Sequence, residues 1–553
     1  MVTRSTDSGY RIAVSRTALC FVASFAILSN QPSFGQQAQP ADRFVDSIGV
    51  NTHLFKGVGD STDTYANYST MIWPALLGLG VRHIRDEMAV DNPGGNYYSR
   101  LNDLASNGIH CDLISECQWN TAAQAQAITA TYLLGAQECV EGTNELDNYP
   151  GYSSTWMSVD HQYTQDIKTA YGGNAQTQNI AIIGFSDNDD PALGHSAAYA
   201  NAYGNYSPYV NYGNCHPYTF PWGQPEGNMQ TLVNGNSVLW GSAPFILTET
   251  GCYTGTAPLS LGWYPHGKYT LRSLLTAFNL GAYRTYLYEL ADEHNNPSYS
   301  EDNFGLITYN GSAKPAYYAV KNTISLLSDP GPAFTPGTLA WSLSGSTANV
   351  NSTLLQKRNG DYYLVLWIGC VSNDSTVSQA VTLNVPSQVG QATLYTLDNA
   401  GNMSSSPMNL VNGQIGLNVK DTVSVVKLTP CQHLQSRWQG TYINTENGLT
   451  CSTISQGWWS AQWLRERVDD TYFRLKNRHI GQYLNVQSGS LGCTAIDPSW
   501  QSAQWSLEYV DGVNWRIKSR SQGTYINIEN GLGCSAIDPG WWSAQWQLPP
   551  SSS

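Results

Sequence analysis

Glu138-Cys-Val-Glu141-Gly-Thr-Asn144-Glu145-Leu-Asp147 is a short apolar strand running into a polar loop, and its flanks decide the fold. Thr121–Leu134 before it and Trp156–Tyr171 after it carry apolar residues at helical spacing, so the segment reads helix, strand, loop, helix. The same alternation extends from residue 44 to residue 328. Its strands read as Ser47–Asn51, Val81–Arg85, His110–Ser115, Glu138–Glu141, Ile180–Phe185, Tyr212–His216, Phe245–Thr248 and Thr285–Tyr288, with Tyr269–Leu280 a further helix. Eight βα units over 44–329 fit a (β/α)8 TIM barrel, whose usual size is about 250 residues. The competing arrangement is an open doubly wound sheet. It would carry a Gly-rich phosphate turn after its first strand, and this sequence has none there.

Beyond the barrel the pattern changes twice. Pro330-Gly-Pro332 and Pro336-Gly337 mark a linker, and residues 338–430 switch to period-two strands. These are Leu354–Lys357, Tyr362–Trp367, Ala380–Val385, Ala392–Thr396 and Val423–Leu428, separated by turns such as Asn359-Gly360 and Asn412-Gly413. They predict an antiparallel β-sandwich. Residues 435–549 repeat: Gly440-Thr-Tyr-Ile-Asn444, Gly481-Gln-Tyr-Leu-Asn485 and Gly523-Thr-Tyr-Ile-Asn527 align, as do Cys451, Cys493 and Cys534, at spacings of 42 and 41. Ser-Ala-Gln-Trp recurs with the same spacings, ending at Trp463, Trp505 and Trp546. Three strand-rich copies predict a β-trefoil, because fewer would leave the shared core open.

The 553 residues carry 12 % charged side chains and a net charge of −14, with no basic run, which argues against nucleic acid or an anionic membrane as partner. Eighteen Trp, 34 Tyr and 50 Gly with few Lys suit an extracellular protein that handles sugars, since flat rings stack on pyranose faces. Arg4, Arg11 and Arg16 precede an apolar run, Thr17–Leu28, too short to span a bilayer, so residues 1–35 read as an export signal cleaved near Gly35. A secreted or periplasmic monomer is expected. Export permits disulfides, with Cys215–Cys252 and Cys370–Cys431 reasonable pairs; Cys111, Cys117 and Cys139 stay unassigned. No Cys-x-x-Cys pair suggests zinc. Asp187-Asn-Asp-Asp190 and Asp292-Glu-His294 lack calcium-loop spacing and read as solvated loop acids, so neither a metal nor a cofactor is expected.

Two glutamates stand at strand ends, Glu145 after the fourth and Glu249 after the seventh, in Phe245-Ile-Leu-Thr-Glu249-Thr-Gly251. Strand C-termini face the mouth of a barrel, and a carboxylate there needs a partner or a task. Here the chain resembles the clan-A retaining glycoside hydrolases. In that clan the acid/base Glu follows an Asn at the end of strand four and the nucleophile Glu ends strand seven, matching Asn144-Glu145 and Glu249. The likeness takes in Arg85 in Gly80-Val-Arg-His-Ile-Arg85-Asp86, His216-Pro-Tyr218, Tyr288-Glu289, and the tail from Asn303-Phe-Gly-Leu-Ile to Lys314-Pro-Ala-Tyr-Tyr318. It covers residues 44 to about 428 and is greatest with the xylosidase- and iduronidase-like branch, several of whose members carry a following β-sandwich.

The resemblance implies hydrolysis of a polysaccharide or oligosaccharide by double displacement. Glu249 would attack the anomeric carbon. Glu145, held protonated by its neighbour's charge, would protonate the leaving oxygen. Carboxyl groups about 5–5.5 Å apart give retention and about 6.5–9.5 Å inversion. Asn144 would hold the 2-hydroxyl, Arg85 and Tyr218 would orient the nucleophile, and His216 would line the wall. Several readings stay open: Arg82 rivals Arg85, and His216 could be a core histidine. Glu141 could face the mouth or pair with a helix. Glu289 could touch substrate or support another group, and His53 could line a subsite or be structural. The last third resembles ricin-type lectin trefoils but has Gln-Trp, as in Gln462-Trp463, where that family has Gln-x-Trp. Trp458, Trp500 and Trp541 are stacking candidates, as are Tyr442, Tyr483 and Tyr525 with Asn444, Asn485 and Asn527, although a threefold core would produce the same recurrence. A non-catalytic carbohydrate-binding protein is the alternative function. The sugar, its linkage, and exo or endo action are not legible.

Overall fold

The computed structural model describes residues 35–548 except 91–95, 153, 189–194, 221–222, 374, 456 and 470. The export signal expected over 1–35 therefore lies outside the described residues but for Gly35. Eight parallel strands form one sheet: β1 (Ile48–Asn51), β2 (His83–Glu87), β3 (His110–Ile114), β4 (Gln137–Glu141), β5 (Ala181–Ile183), β6 (Gly213–Cys215), β7 (Phe245–Thr250) and β8 (Arg284–Leu287). Its order is β5-β4-β3-β2-β1-β8-β7-β6. An open doubly wound sheet keeps its first and last strands apart. Here β8 pairs β1 in parallel, Thr285 with Ile48 and Leu287 with Val50, and a single bridge from Ile183 to Tyr212 joins the two ends. The result is a nearly closed eight-stranded parallel barrel of the TIM type.

Strand parity builds its two layers. Val50, Ile84, Leu113, Val140, Ile182 and Leu247 point outward, in one buried cluster with the surrounding helices. Cys139, Ile183, Ile246 and Tyr286 point inward and form a separate apolar plug. Gly49 is needed beside that plug, because a Cβ there would sit 2.4 Å from the Tyr286 ring. Further along the same inward rows stand polar residues, among them Asn51, Arg85, Glu141, Asn214 and Thr248, all buried. Burying such groups costs several kcal/mol unless they bond one another, so this layer marks where the barrel stops being scaffold.

The sandwich is more elaborate than five strands. A three-stranded sheet (Ser342–Gly345, Ser378–Asn384, Gln414–Lys420) faces a six-stranded one containing Val350–Gln356, Tyr362–Ile368, Val389–Leu397, Met403–Met408 and Ser424–Pro430. Its sixth strand, Gln39–Pro40, comes from before the barrel and pairs in parallel with Leu355 and Gln356, so the unit does not begin at 338. The sequence hid Met403–Met408 because four of its six residues are exposed. Helix Trp263–Leu280 fixes the sandwich to the barrel through two buried cations: Lys268 Nζ donates to Asp421 (2.7 Å), and Arg272 Nη1 donates to Cys370 O (3.0 Å).

Residues 435–547 form one twelve-stranded sheet system in which the three copies share a core. Trp463, Trp505 and Trp546 are fully buried, and their indole N–H groups donate to Ile443 O, Leu484 O and Ile526 O at 2.9, 3.0 and 2.9 Å. The recurring Gln-Trp is thus core machinery. No disulfide joins the expected cysteines. Cys215 belongs to the main core, whereas Cys252 packs in a separate cluster with Leu261 and Tyr269. Cys431 is fully buried beside Gly390, and Cys370 sits at the Arg272 contact, its carbonyl 3.0 Å from Nη1. Among the described residues no helix is long and apolar enough to cross a membrane.

Candidate active site

Beyond Glu141 the chain leaves β4 through Gly142, where a Cβ would lie 2.8 Å from Phe185 N on the neighbouring strand's exit. It reaches Glu145 in the left-handed region, at φ 47°. A non-glycine residue costs about 1–2 kcal/mol there and stays only when its surroundings hold it. Here Glu145 N–H donates to Ser186 O (2.9 Å), and Asn148 Nδ2 donates to Glu145 Oε2 (3.1 Å). Glu249 arrives differently. Pairing between β7 and β8 skips a residue, Leu247 opposing Thr285 but Thr250 opposing Leu287. Such an irregularity re-aims side chains. Without it, strict alternation after the inward Thr248 would send Glu249 outward.

The two carboxylates meet at His216. Its Nδ1 lies 2.8 Å from Glu145 Oε1 and 3.7 Å from Glu249 Oε2, and one oxygen of each carboxylate and this nitrogen all lie within 4.8 Å of one another. His216 Nε2 rests 2.9 Å from Thr248 Oγ1. Glu249 Oε1 accepts from Arg85 Nη1 (2.6 Å) and Oε2 from the Tyr218 hydroxyl (2.7 Å). Burial alone would push the Glu249 carboxyl up. The charges of His216 and Arg85 and the bonds from Tyr218 and Arg85 outweigh it, leaving the group below its ordinary 4.5. Burial would lower His216, but the Glu249 charge and the Glu145 bond prevail and raise it above 6.5.

Arg85 is the hub of the site. Besides Glu249 it binds Glu141 twice (Nε to Oε2 2.6 Å, Nη2 to Oε1 2.8 Å), Asn144 Oδ1 (2.7 Å) and Asn51 Oδ1 (2.9 Å). Arg82, its rival, pairs instead with Asp42 and Asp46 beside the strand starts, at 2.8 and 3.1 Å. Glu141 is thereby settled: it is fully buried, takes further bonds from Asn214 Nδ2 and Thr248 Oγ1 (3.0 Å each), and does not line the cavity. Its signal in the sequence, a second acid four residues before Glu145, was visible, but its direction was not.

A cavity of about 630 Å³ opens above these groups, lined by Arg85, Asn144, Glu145, Tyr218, Glu249 and His53 among the expected residues. His216, expected on the wall, is fully buried and does not line it, and neither does Glu289. The Glu289 side chain is fully buried, takes a bond from Tyr65 OH (2.9 Å), and burial raises its carboxyl well above the ordinary range. His53 separates it from the cavity, with Nε2 3.4 Å from both Glu289 and Glu293. Burial, with Lys56 nearby, pushes His53 down to about 3, so it is neutral. Sequence reasoning missed Glu116, which lines the cavity and which burial raises to about 8; it follows strand β3 as Glu145 follows β4. The Asp292–His294 acids are not solvated: Asp292 and Glu293 are buried and hold Lys314 (2.7 Å) and Lys56 (2.6 Å). Asp187 is buried too, while Asp189 and Asp190 lie outside the described residues.

In the repeated unit, Asn444, Asn485 and Asn527 are buried and bond Ser452, Thr494 and Ser535 at 2.8, 2.8 and 2.9 Å, closing their own hairpins. Tyr442, Tyr483 and Tyr525 are half-buried; the last two donate to Glu466 and Glu508 (3.1 and 2.9 Å). Trp500 is exposed, but Trp458 and Trp541 are half-buried and begin short turns. The exposed rings are their neighbours Trp459 (52 %) and Trp542 (56 %), which the twin Trp-Trp pairs had concealed.

No protein-family profile matches the sequence, and no curated protein does. Solved structures resemble the chain. A family 39 glycoside hydrolase from the gut symbiont Bacteroides cellulosilyticus aligns over 70 % of this chain and 81 % of its own, with 14 % identity and TM-score 0.49. A glucosidase from Croceicoccus marinus aligns over 71 % and 97 %, with 9 % identity and TM-score 0.47. The designed threefold-symmetric protein ThreeFoil aligns over 22 % of this chain and 97 % of its own, with 21 % identity and TM-score 0.20. At these identities and scores the functional reading rests on the geometry of the site.

Proposed function

We propose that this chain is a retaining glycoside hydrolase in which Glu249 is the nucleophile and Glu145 the general acid and base. The observation that carries the reading is the meeting of the two carboxylates, with oxygens and His216 Nδ1 all within 4.8 Å. That closeness suits the retaining separation of about 5–5.5 Å rather than the inverting one of about 6.5–9.5 Å. Glu249 is kept ionised and aimed by Arg85 and Tyr218, as attack on an anomeric carbon requires. Glu145, at the same His216 nitrogen, would protonate the departing oxygen, then take a proton from the water that releases the sugar. With Asn144 Oδ1 occupied by Arg85, its amide N–H groups are left to bind a sugar hydroxyl.

We further propose that residues 435–547 are a β-trefoil that holds the enzyme on a polysaccharide through Trp459, Trp500 and Trp542. What supports this is the three-copy sheet with its three core tryptophans and the exposed rings beside them. Tethering raises the local substrate concentration without touching the chemistry. The basic and apolar pattern of the first 35 residues supports export.

The test is product release from a panel of plant and microbial polysaccharides and aryl glycosides, comparing the wild type with Glu145→Gln and Glu249→Gln. Loss of activity in both variants, with azide restoring turnover to Glu249→Ala as an inverted glycosyl azide, supports the assignment. Full activity in either variant overturns it.

A further inference from the structure

A second cleft, of about 930 Å³, lies between the sandwich and the three-copy unit, away from both glutamates. In a chain of net charge −14 its lining carries the opposite sign. Lys357 from the sandwich and Arg465 and Arg474 from the repeat face it, and among the described residues none of the three has a carboxylate within ion-pair distance. The carboxylates that share the lining already hold other cations: Asp361 pairs with Lys427 of the same lining (2.8 Å), Glu466 with Lys476 (3.8 Å) and Asp469 with Arg520 (3.2 Å). Arg465 spends a single bond, Nη2 to Asn359 O (3.0 Å). A guanidinium has five donors, and withdrawing it from water without an anion is costly.

The repeat supplies an internal control. With copies offset by 42 and 41 residues, the positions equivalent to Arg465 are Leu507 and Leu548, both packed against the shared core. The threefold core therefore has no need of an arginine there, and the exception is the position that reaches the sandwich, at Asn359 O. Tyr395, Gln391 and Thr393 complete the opposite wall with the rings and neutral polar groups that meet sugar hydroxyls.

We propose that this cleft binds an acidic polysaccharide, a chain bearing carboxylate or sulfate groups that seat on Arg465 and Lys357. The site is separate from the hydrolytic reading and does not depend on it. It is also distinct from the exposed indoles, where Arg478 and Arg437 already lie over Trp459 and Trp542 at 4.1 and 4.5 Å from the ring centres.

Isothermal titration of the full chain with polygalacturonate, a sulfated galactan, neutral arabinoxylan and a single-stranded oligonucleotide tests this. The expected result is binding of one or both acidic glycans, weakened by salt. Comparing the two names the anionic group. Arg465→Leu, the residue the other copies carry, and Lys357→Met on the facing wall should each weaken binding by about tenfold. Neither should move the thermal midpoint, and Trp459→Ala should leave acidic-glycan binding unchanged. The proposal is overturned if no acidic glycan binds, if arabinoxylan or the oligonucleotide binds as tightly, or if both charge variants bind like wild type.

Discussion

The barrel mouth and the C-terminal repeat both gather aromatic and polar residues, yet they must be read in opposite ways. In the repeat, what recurs is structural: Trp463, Trp505 and Trp546 fill one core, and Asn444, Asn485 and Asn527 close equivalent hairpins. What breaks the recurrence is informative, as Arg465 is against Leu507 and Leu548. In the barrel nothing recurs but the βα unit, and the departures from its parity bring the two glutamates to the mouth. Glu249 faces the mouth through an irregular pairing, and Glu145 through a left-handed backbone. Symmetry hides function in one region, and strand alternation hides it in the other.

Mutations should separate the two regions by what they damage. The largest effect is expected for Glu249→Gln, which replaces the carboxylate proposed to attack with a neutral amide; turnover should fall on the order of 10⁴-fold or more with the protein still folded. Glu145→Gln should cost about 10²–10⁴-fold, less for substrates whose leaving group needs no proton, such as nitrophenyl glycosides. A loss equal for activated and unactivated leaving groups would remove Glu145 from the acid role.

Core changes come next. Trp505→Ala should lower stability by about 3–5 kcal/mol in a denaturant titration and leave turnover on a small aryl glycoside intact. Trp459→Ala, on the exposed ring one copy away, should alter stability by less than about 0.5 kcal/mol and lower retention on an insoluble polysaccharide. Equal stability losses at the two positions would erase the distinction between core and platform.

The smallest effect is on pH. Glu249 lies below its ordinary 4.5, so its contribution to stability is present above about pH 4.5 and lost as pH falls through the folded value. His216 lies above its ordinary 6.5, so its contribution is complete below about pH 6.5 and lost as pH rises through the folded value. Both operate between those limits. The thermal midpoint of wild type relative to a His216→Asn, Glu249→Gln double variant should therefore be highest in that window, and a flat difference across pH 3 to 9 would contradict the electrostatics described.

What the sequence determined by itself is whatever short-range periodicity encodes. The eight strands begin and end within two residues of where apolar runs predict them, because burial on alternating faces is a local demand. The glutamates at the ends of β4 and β7 and the 41- to 42-residue repeat were visible for the same reason. Tertiary structure alone decided which charge meets which. Arg82 and Arg85 are three residues apart, but one pairs with the acids of the helix before β1 and the other sits inside, bonded to residues 34, 56, 59 and 164 positions away. Glu141 became a counter-ion, Glu289 sank beneath His53, and the cysteines landed in separate clusters. Those outcomes depend on closing the barrel, since pairing energies between buried charges exist only once distant strands have brought them within a few ångströms.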